Sequence, residues 1–214
     1  MAQQERAVRT RQAILEAAGT VFAERGYGST RISDVYQRAG MTKGAFYFHF
    51  GSKEQLAQEV LDTQMVSQTG YLTGYTREVK LQEVVDSALL VAHRLHFDSL
   101  LQGSIRLSID QGSDLDRKPP YRAWVEFQAR ALGEAAERGE LLPDIDTRAY
   151  AELLVGVFSG IQIMSGVMTG WADLEERIAH LYSVLMPLIA TPETLARLDI
   201  SPDLGKRLMA EHGA

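Results

Sequence analysis

Apolar positions recur at three- and four-residue steps along nearly the whole chain. In the first stretch Val8, Ile14, Leu15, Ala18, Val21 and Phe22 form one stripe, which predicts an amphipathic helix. Gly26 and Gly28, on either side of Tyr27, stop it. A short second helix follows in RISDVYQRA (31–39), capped by Ser29 or Thr30, with Ile32, Val35 and Tyr36 turned inward. Gly40 ends it. Thr42 caps a third helix, KGAFYFH (43–49), which Gly51 breaks. Ser52, with Gln55 three positions on, makes a capping-box pattern and opens a fourth helix reaching about residue 69. Beyond residue 78 the same period predicts helices over 79–96, 98–110, 120–139, 146–169 and 172–190. QGSDLDRKPP (111–120) and RGELLPDID (138–146) read as loops. Pro187 should kink or end the last apolar helix. No strand alternation persists and no long repeat is visible. The pattern predicts an all-α protein: a three-helix helix-turn-helix domain over residues 1–52, then a helical bundle over 53–214. The polar tail after Thr191 carries two more prolines and receives no role.

Composition narrows the class. With 45% hydrophobic residues in 214, the chain can bury a core and is not disordered. The net charge of −6 is unevenly placed. Residues 1–55 hold eight Lys/Arg against five acids, whereas the other 159 hold 14 against 23. A basic start on an acidic remainder points to a polyanionic partner for the start alone. The absence of cysteine excludes disulfides and thiolate metal sites and fits a reducing cytoplasm. No apolar run reaches the roughly 18 residues that span a bilayer, so no membrane partner is expected. The opening MAQQERAVRT is too polar for a signal peptide.

The densest chemistry lies in MTKGAFYFHFGSKEQL (41–56). Two short helices joined at Gly40 make a helix-turn-helix, whose second helix enters the major groove. Phe46 and Phe50, four apart, can anchor that helix in a small core. Tyr47 and His49 can donate to phosphates. Gly44 and Ala45 lack bulk and let the backbone approach the bases, and Lys43 can reach guanine acceptors or a phosphate. Lys53, and Thr30 with Arg31, stand at helix starts whose free N–H groups suit further phosphates. An aromatic-rich helix alone would suggest plain core. The glycine and threonine junctions, with cationic and hydroxyl residues on one side, favour nucleic acid.

Enzymatic signals are missing. There is no Gly-x-Ser-x-Gly, no P-loop and no dinucleotide fingerprint, so neither catalytic residues nor a cofactor are expected. His93 and His96 share a helix face without an evident third ligand, so no metal is expected. Glu134, Glu137 and Glu140 near Arg130 and Arg138 read as a solvated face.

Thr42, Lys43, Gly44, Tyr47, His49, Phe50 and Lys53 stand in register with the pattern Thr-Lys-Gly-x-x-Tyr-x-His-Phe-x-x-Lys, after RGYGSTRISDV (25–35). Over about residues 8–60 the chain therefore resembles the DNA-binding domain of TetR-family repressors. The resemblance implies that Thr42, Lys43, Gly44 and Ala45 face the major groove, and that Thr30, Arg31, Tyr47, His49 and Lys53 meet phosphates. Position 46 often holds a smaller aliphatic residue in that family, where this chain has Phe46. GAFYFHFGSKEQLA, RLSID, YRAWVEFQARALGEAAERGEL, DID and FSGIQIMSG further resemble the γ-butyrolactone receptor branch, over about residues 1–190. That branch represses antibiotic-production and development genes until a butyrolactone or butenolide signal releases it from DNA.

Such a signal needs a dry pocket, a flat surface and a few polar anchors. The resemblance places a tryptophan, here Trp124, against the ligand ring. Gln128 lies one turn on, and Phe158, Ile161, Gln162 and Ser165 are offered by a later helix, with Gln64 from the fourth. Apolar residues of the last two helices (Leu153, Leu154, Val157, Ile161, Leu174, Ile178, Leu181, Leu185) exceed what one buried face needs, which suggests a homodimer. The expected partners are thus a palindromic double-stranded operator, a small hydrophobic signalling lactone and a second copy. The expected location is the cytoplasm, at the nucleoid when bound to DNA. The alternative is a TetR-family regulator that senses an antibiotic or another hydrophobic small molecule.

Overall fold

The computed structural model describes residues 2–72, 76–110 and 114–212, with side chains described over 4–63, 76–110 and 114–211. Among them are eleven α-helices: α1 (Ala2–Ser29), α2 (Ile32–Arg38), α3 (Lys43–His49), α4 (Lys53–Leu72), α5 (Leu81–Arg94), α6 (Ser99–Ile109), α7 (Lys118–Glu137), α8 (Thr147–Thr169), α9 (Leu174–Leu185), α10 (Pro192–Leu195) and α11 (Leu204–His212). No strand occurs among the described residues; a single antiparallel bridge joins Leu141 to Ala190. A 3-10 turn over Met186–Leu188 follows α9 and contains Pro187, so the proline ends the helix as expected.

The chain folds into two compact units. The first comprises Met1–Ser67 with Phe97–Pro120, the second Gln68–His96 with Tyr121–Ala214. This differs from the division at residue 52 expected from the sequence, because α6 packs with the N-terminal helices.

The first unit is built around Phe22, Val35, Phe46, Phe50 and Leu107, each no more than 1% exposed. Burying each such side chain contributes roughly 1.5–3 kcal/mol. The Phe46 and Phe50 rings lie 5.9 Å apart, so the aromatic face of α3 is its anchor. The α1–α6 contact is a backbone-to-backbone crossing. A Cβ on Gly103 would stand 2.3 Å from the Gly19 carbonyl oxygen, and one on Gly19 would stand 2.5 Å from Leu100 Cα. Any larger residue at either point would push the helices apart.

Gly26 breaks α1 at φ 70° and ψ 176°, a conformation glycine adopts without strain. The residues after it do not cap α2 as the sequence suggested. Arg31 occupies that cap, and its N–H donates to Asp34 Oδ2 at 3.1 Å. The Thr30 hydroxyl turns back and donates to the Gly26 carbonyl at 2.7 Å.

In the second unit α5 is buried on nearly every face, and α9 and α11 pack against it. The Glu140 carboxylate accepts from the N–H groups of Lys80 (2.8 Å) and Leu81 (2.7 Å), neutralising the free donors at the start of α5. The tail, which received no role from the sequence, is folded and carries α10 and α11. The Gln82 amide pairs with the backbone of Asp199 in both directions, at 2.8 Å each way. Leu204 and Leu208 of α11 are buried, and a Cβ on Gly205 would lie 2.2 Å from the Leu89 carbonyl oxygen. By length and composition alone α8 is long and apolar enough to cross a membrane, although the sequence offered no such run, and only 22% of its most apolar stretch is buried within the chain.

Candidate nucleic-acid interface and ligand site

The turn between α2 and α3 is made by Gly40 at φ 66°. Thr42 caps α3, its hydroxyl oxygen accepting from Ala45 N–H at 3.2 Å. This fixes one outward face: Thr42, Lys43 and Gly44 are exposed, Ala45 is half-buried, Tyr47 is 46% exposed and Phe48 81%. The Lys43 ammonium stands 5.9 Å from the Tyr47 ring one turn later. His49 is half-buried with its ring edge-on to Phe48 at 5.1 Å. Arg31 is exposed at the start of α2.

Two of the residues singled out in the sequence face the other way. Thr30 is 2% exposed, its hydroxyl committed to Gly26. Lys53 is half-buried and donates to the carbonyls of Tyr27 (2.9 Å) and Thr30 (3.0 Å), with its ammonium 4.2 Å over the Tyr27 ring. The end of α1 leaves carbonyls without helical partners, and a nearby cation satisfies them. Ser52 caps α4 as read, its Oγ accepting from Gln55 N–H at 3.0 Å, while the Gln55 side chain accepts from Gly51 N–H at 2.8 Å, one residue before the cap. A further participant had no local signal: Asp110, at the end of α6, accepts the Tyr27 N–H at 2.8 Å.

In the second unit Trp124 is half-buried and meets Phe127 edge-on, ring centres 5.8 Å apart. Gln128, one turn further along α7, is 4% exposed. Its amide nitrogen donates to Ser87 Oγ at 3.1 Å, and Ser87 in turn donates to the Val84 carbonyl at 2.9 Å. The buried Gln128 Oε1 has no hydrogen-bond partner among the described residues. Phe158 and Ile161 are half-buried on α8 and Gln162 is 6% exposed. Gln64 lies within α4, outside the residues whose side chains are described.

Ser165 is engaged elsewhere. Its hydroxyl donates to Asp173 Oδ1 at 2.7 Å, which also accepts from Thr169 Oγ1 at 2.8 Å. Arg177 pairs with the same carboxylate at 2.7 Å. Arg177 first, and then Ser165, hold the Asp173 carboxyl well below the usual carboxylate range. The Gln162 carbonyl accepts from Trp171 Nε1 at 3.1 Å, beneath which only glycine fits, since a Cβ on Gly166 would lie 2.8 Å from that nitrogen. These contacts form a clasp at the α8–α9 turn. His93 Nδ1 and His96 Nε2 both reach the Glu175 carboxylate, at 2.7 and 3.1 Å, a polar clasp between the end of α5 and α9. Glu134 is half-buried and pairs with Lys80 at 2.7 Å, so that part of the acidic run is not free surface.

A partly apolar face of α8 and α9 stays open. Leu153, Ile163, Met164, Val167, Met168, Val184 and Leu188 are 37–83% exposed, and Gly156 and Gly160 have open space where a side chain would be. Of the residues the sequence assigned to a surplus, Leu153 is on this face, whereas Leu154, Leu174 and Ile178 are at most 1% exposed and belong to the unit's own core.

A short, outward-facing α3 carried by a basic N-terminal segment, with a separate helical unit to follow, defines a helix-turn-helix DNA-binding regulator rather than an enzyme. Residues 14–60 match the model of bacterial regulatory proteins of the tetR family, and residues 80–190 match the tetracyclin repressor-like C-terminal domain. The chain belongs to the TetR family of bacterial transcription regulators. It is 38% identical over 198 residues to the A-factor receptor protein of Streptomyces griseus, covering 92% of this chain and 70% of that one. The crystal structure of full-length TylP, a TetR regulator from Streptomyces fradiae, superposes with a TM-score of 0.84 at 43% identity, covering 99% and 93% of the two chains. A γ-butyrolactone receptor described as ArpA-like gives a TM-score of 0.74 at 29% identity, covering 96% and 99%.

Proposed function

We propose that this regulator is a homodimeric repressor that leaves a palindromic operator when a γ-butyrolactone or butenolide-type signal binds its second unit. The observation that carries the ligand reading is Gln128 Oε1, a buried acceptor without a described donor, one turn from the flat surface of Trp124. Such an orphan costs about 1–3 kcal/mol until a donor arrives. A hydroxyl-bearing lactone supplies both halves of the match: a donor for Gln128, and a five-membered ring for Trp124 with an alkyl tail for Phe158 and Ile161. The receptors named among its relatives support this ligand class.

The operator face is Thr42, Lys43, Gly44 and Ala45 at the base edges, with Arg31, Tyr47 and His49 at phosphates; Thr30 and Lys53 hold that face from behind. The open apolar stripe of α8 and α9 suits a second copy of the chain, and two heads read the two halves of a palindrome about one helical turn apart. The site of action is the cytoplasm, where the operator is.

Release is linkage: the signal binds better to the conformation whose heads no longer fit successive grooves. Coupling of about 1–3 kcal/mol is usual, and a near-complete switch takes about 5.5 kcal/mol. The test is fluorescence anisotropy on a palindromic duplex selected by the protein from a random pool, titrated with a hydroxyl-bearing 2,3-disubstituted γ-butyrolactone. Release is expected for the wild type, and Trp124→Ala should bind the duplex equally well yet stay on it. A wild-type complex indifferent to the lactone, or release of the variant at the same concentration, would defeat the ligand assignment.

A further inference from the structure

We infer that Asp110, at the end of α6, is a positioning residue for operator binding: its carboxylate sets where the helix-turn-helix begins by accepting the Tyr27 N–H. The inference rests on the operator-binding reading and is independent of which ligand the second unit takes.

The break at Gly26 is the starting point. With φ at 70° the chain leaves the α1 path, and the Tyr27 N–H needs an acceptor from outside the helix. Asp110 Oδ2 supplies it at 2.8 Å from 83 residues away. Gly26 makes room for that carboxylate, since a Cβ there would lie 2.9 Å from Oδ2 and 3.4 Å from Arg106 Nε. The other side of Tyr27 is held as firmly: its carbonyl accepts from Lys53 at 2.9 Å. Opposite charges from α6 and α4 therefore hold the N–H and C=O of one residue. Its ring is stacked on Phe22 at 6.3 Å beneath the Lys53 ammonium.

The consequence reaches the reading helices in a few residues. Lys53 also holds the Thr30 carbonyl, and Thr30 immediately precedes Arg31, the cap of α2. The direction in which α2 leaves α1, and with it the placing of α3, is thus referred to Asp110. Asp110 is itself fixed. Arg117 donates to its carbonyl and to those of Leu107 (3.1 Å) and Leu115 (3.0 Å), which holds the end of α6 in place. Farther up, Gly19 and Gly103 lock α6 to α1 with main chains touching. A carboxylate that only filled space would not need an anchored helix end on one side and a glycine cut away on the other. This also gives RLSID (106–110) a task that the operator face and the ligand site leave unassigned.

The experiment uses the full-length chain as Asp110→Ala and Asp110→Asn, measured on the selected palindrome and on a shuffled duplex of equal length. Because the acceptor orients the reading helices without touching DNA, Asp110→Ala should lose about tenfold on the palindrome. Its affinity for the shuffled duplex should stay at the wild-type value. Asp110→Asn keeps a carbonyl oxygen and should recover most of the loss. Equal losses on both duplexes, no loss on either, or an asparagine variant as weak as the alanine one would overturn the assignment. Should the alanine variant not fold, the asparagine variant and amide exchange in the wild type decide: the Tyr27 amide should be protected, and exchange at the rate of a free amide sinks the inference. A wild type that selects no duplex defeats the operator reading itself, and this one with it.

Discussion

The Lys53 ammonium donates to the Tyr27 carbonyl at 2.9 Å, while Lys43, ten residues earlier, is exposed on the outward face of α3. The two lysines of one motif therefore act differently. Lys43→Ala should weaken operator binding, reduce the salt slope by about one counterion, and leave the melting temperature unchanged. Lys53→Ala removes the donor to two carbonyls and should cost about 1–3 kcal/mol of stability as well. Melting curves and anisotropy at several salt concentrations separate the two; an unaltered melting temperature for Lys53→Ala would place its role on the DNA alone.

Gln128 presents a trade between stability and response. Methionine has its length and shape but no acceptor to leave unsatisfied, and Ser87 keeps its bond to Val84. Gln128→Met should be neutral or stabilising by up to about 1 kcal/mol, yet blind to the lactone. A variant that is clearly destabilised would mean that the amide oxygen is satisfied in the free protein.

Val167, 83% exposed on α8, tests the second copy. An arginine there would have to be buried unpaired in an apolar interface, which costs several kcal/mol. Val167→Arg should sediment as a monomer and lose the palindrome, while the monomer keeps its helical content. Unchanged sedimentation would remove this stripe from the interface.

Asp173 gives a pH signature. Its folded carboxyl is held below the ordinary value by Arg177 and Ser165, so its contribution is fully present above the unfolded value of about 3.9 and is lost as pH falls through the folded one. Asp173→Asn should melt earlier than wild type at neutral pH, and the gap should narrow steadily as the pH drops below about 4. A gap constant across that range would mean the carboxylate's charge is not what holds the α8–α9 turn.

The short helices were legible because their signals are local. Gly40, Thr42, Gly51, Ser52 and Gln55 each act on backbone groups within a few residues, and each sits as its spacing predicts. Proximity in the sequence did not show that the polar groups of Thr30 and Lys53 complete the end of α1. Asp110 lay in the RLSID stretch, but nothing local gave it a task, since its partner is 83 residues away. The same distance problem hid the tail. α11 buries Leu204, Gly205 and Leu208, too short a stripe to recognise without α5 beside it. The surplus of apolar residues on α8 and α9 was visible, but which leucines face out depends on how those helices pack.

The contact between Gly19 and Gly103 has a practical meaning for anyone who would graft this reader onto a different sensor. The sequence similarity to the family's DNA-binding region ends at residue 60, and a chimera joined there would discard α6. A foreign helix bearing so much as a methyl group at the crossing finds no space against α1. The transferable cassette is discontinuous, and it must bring residues 97–120 with it.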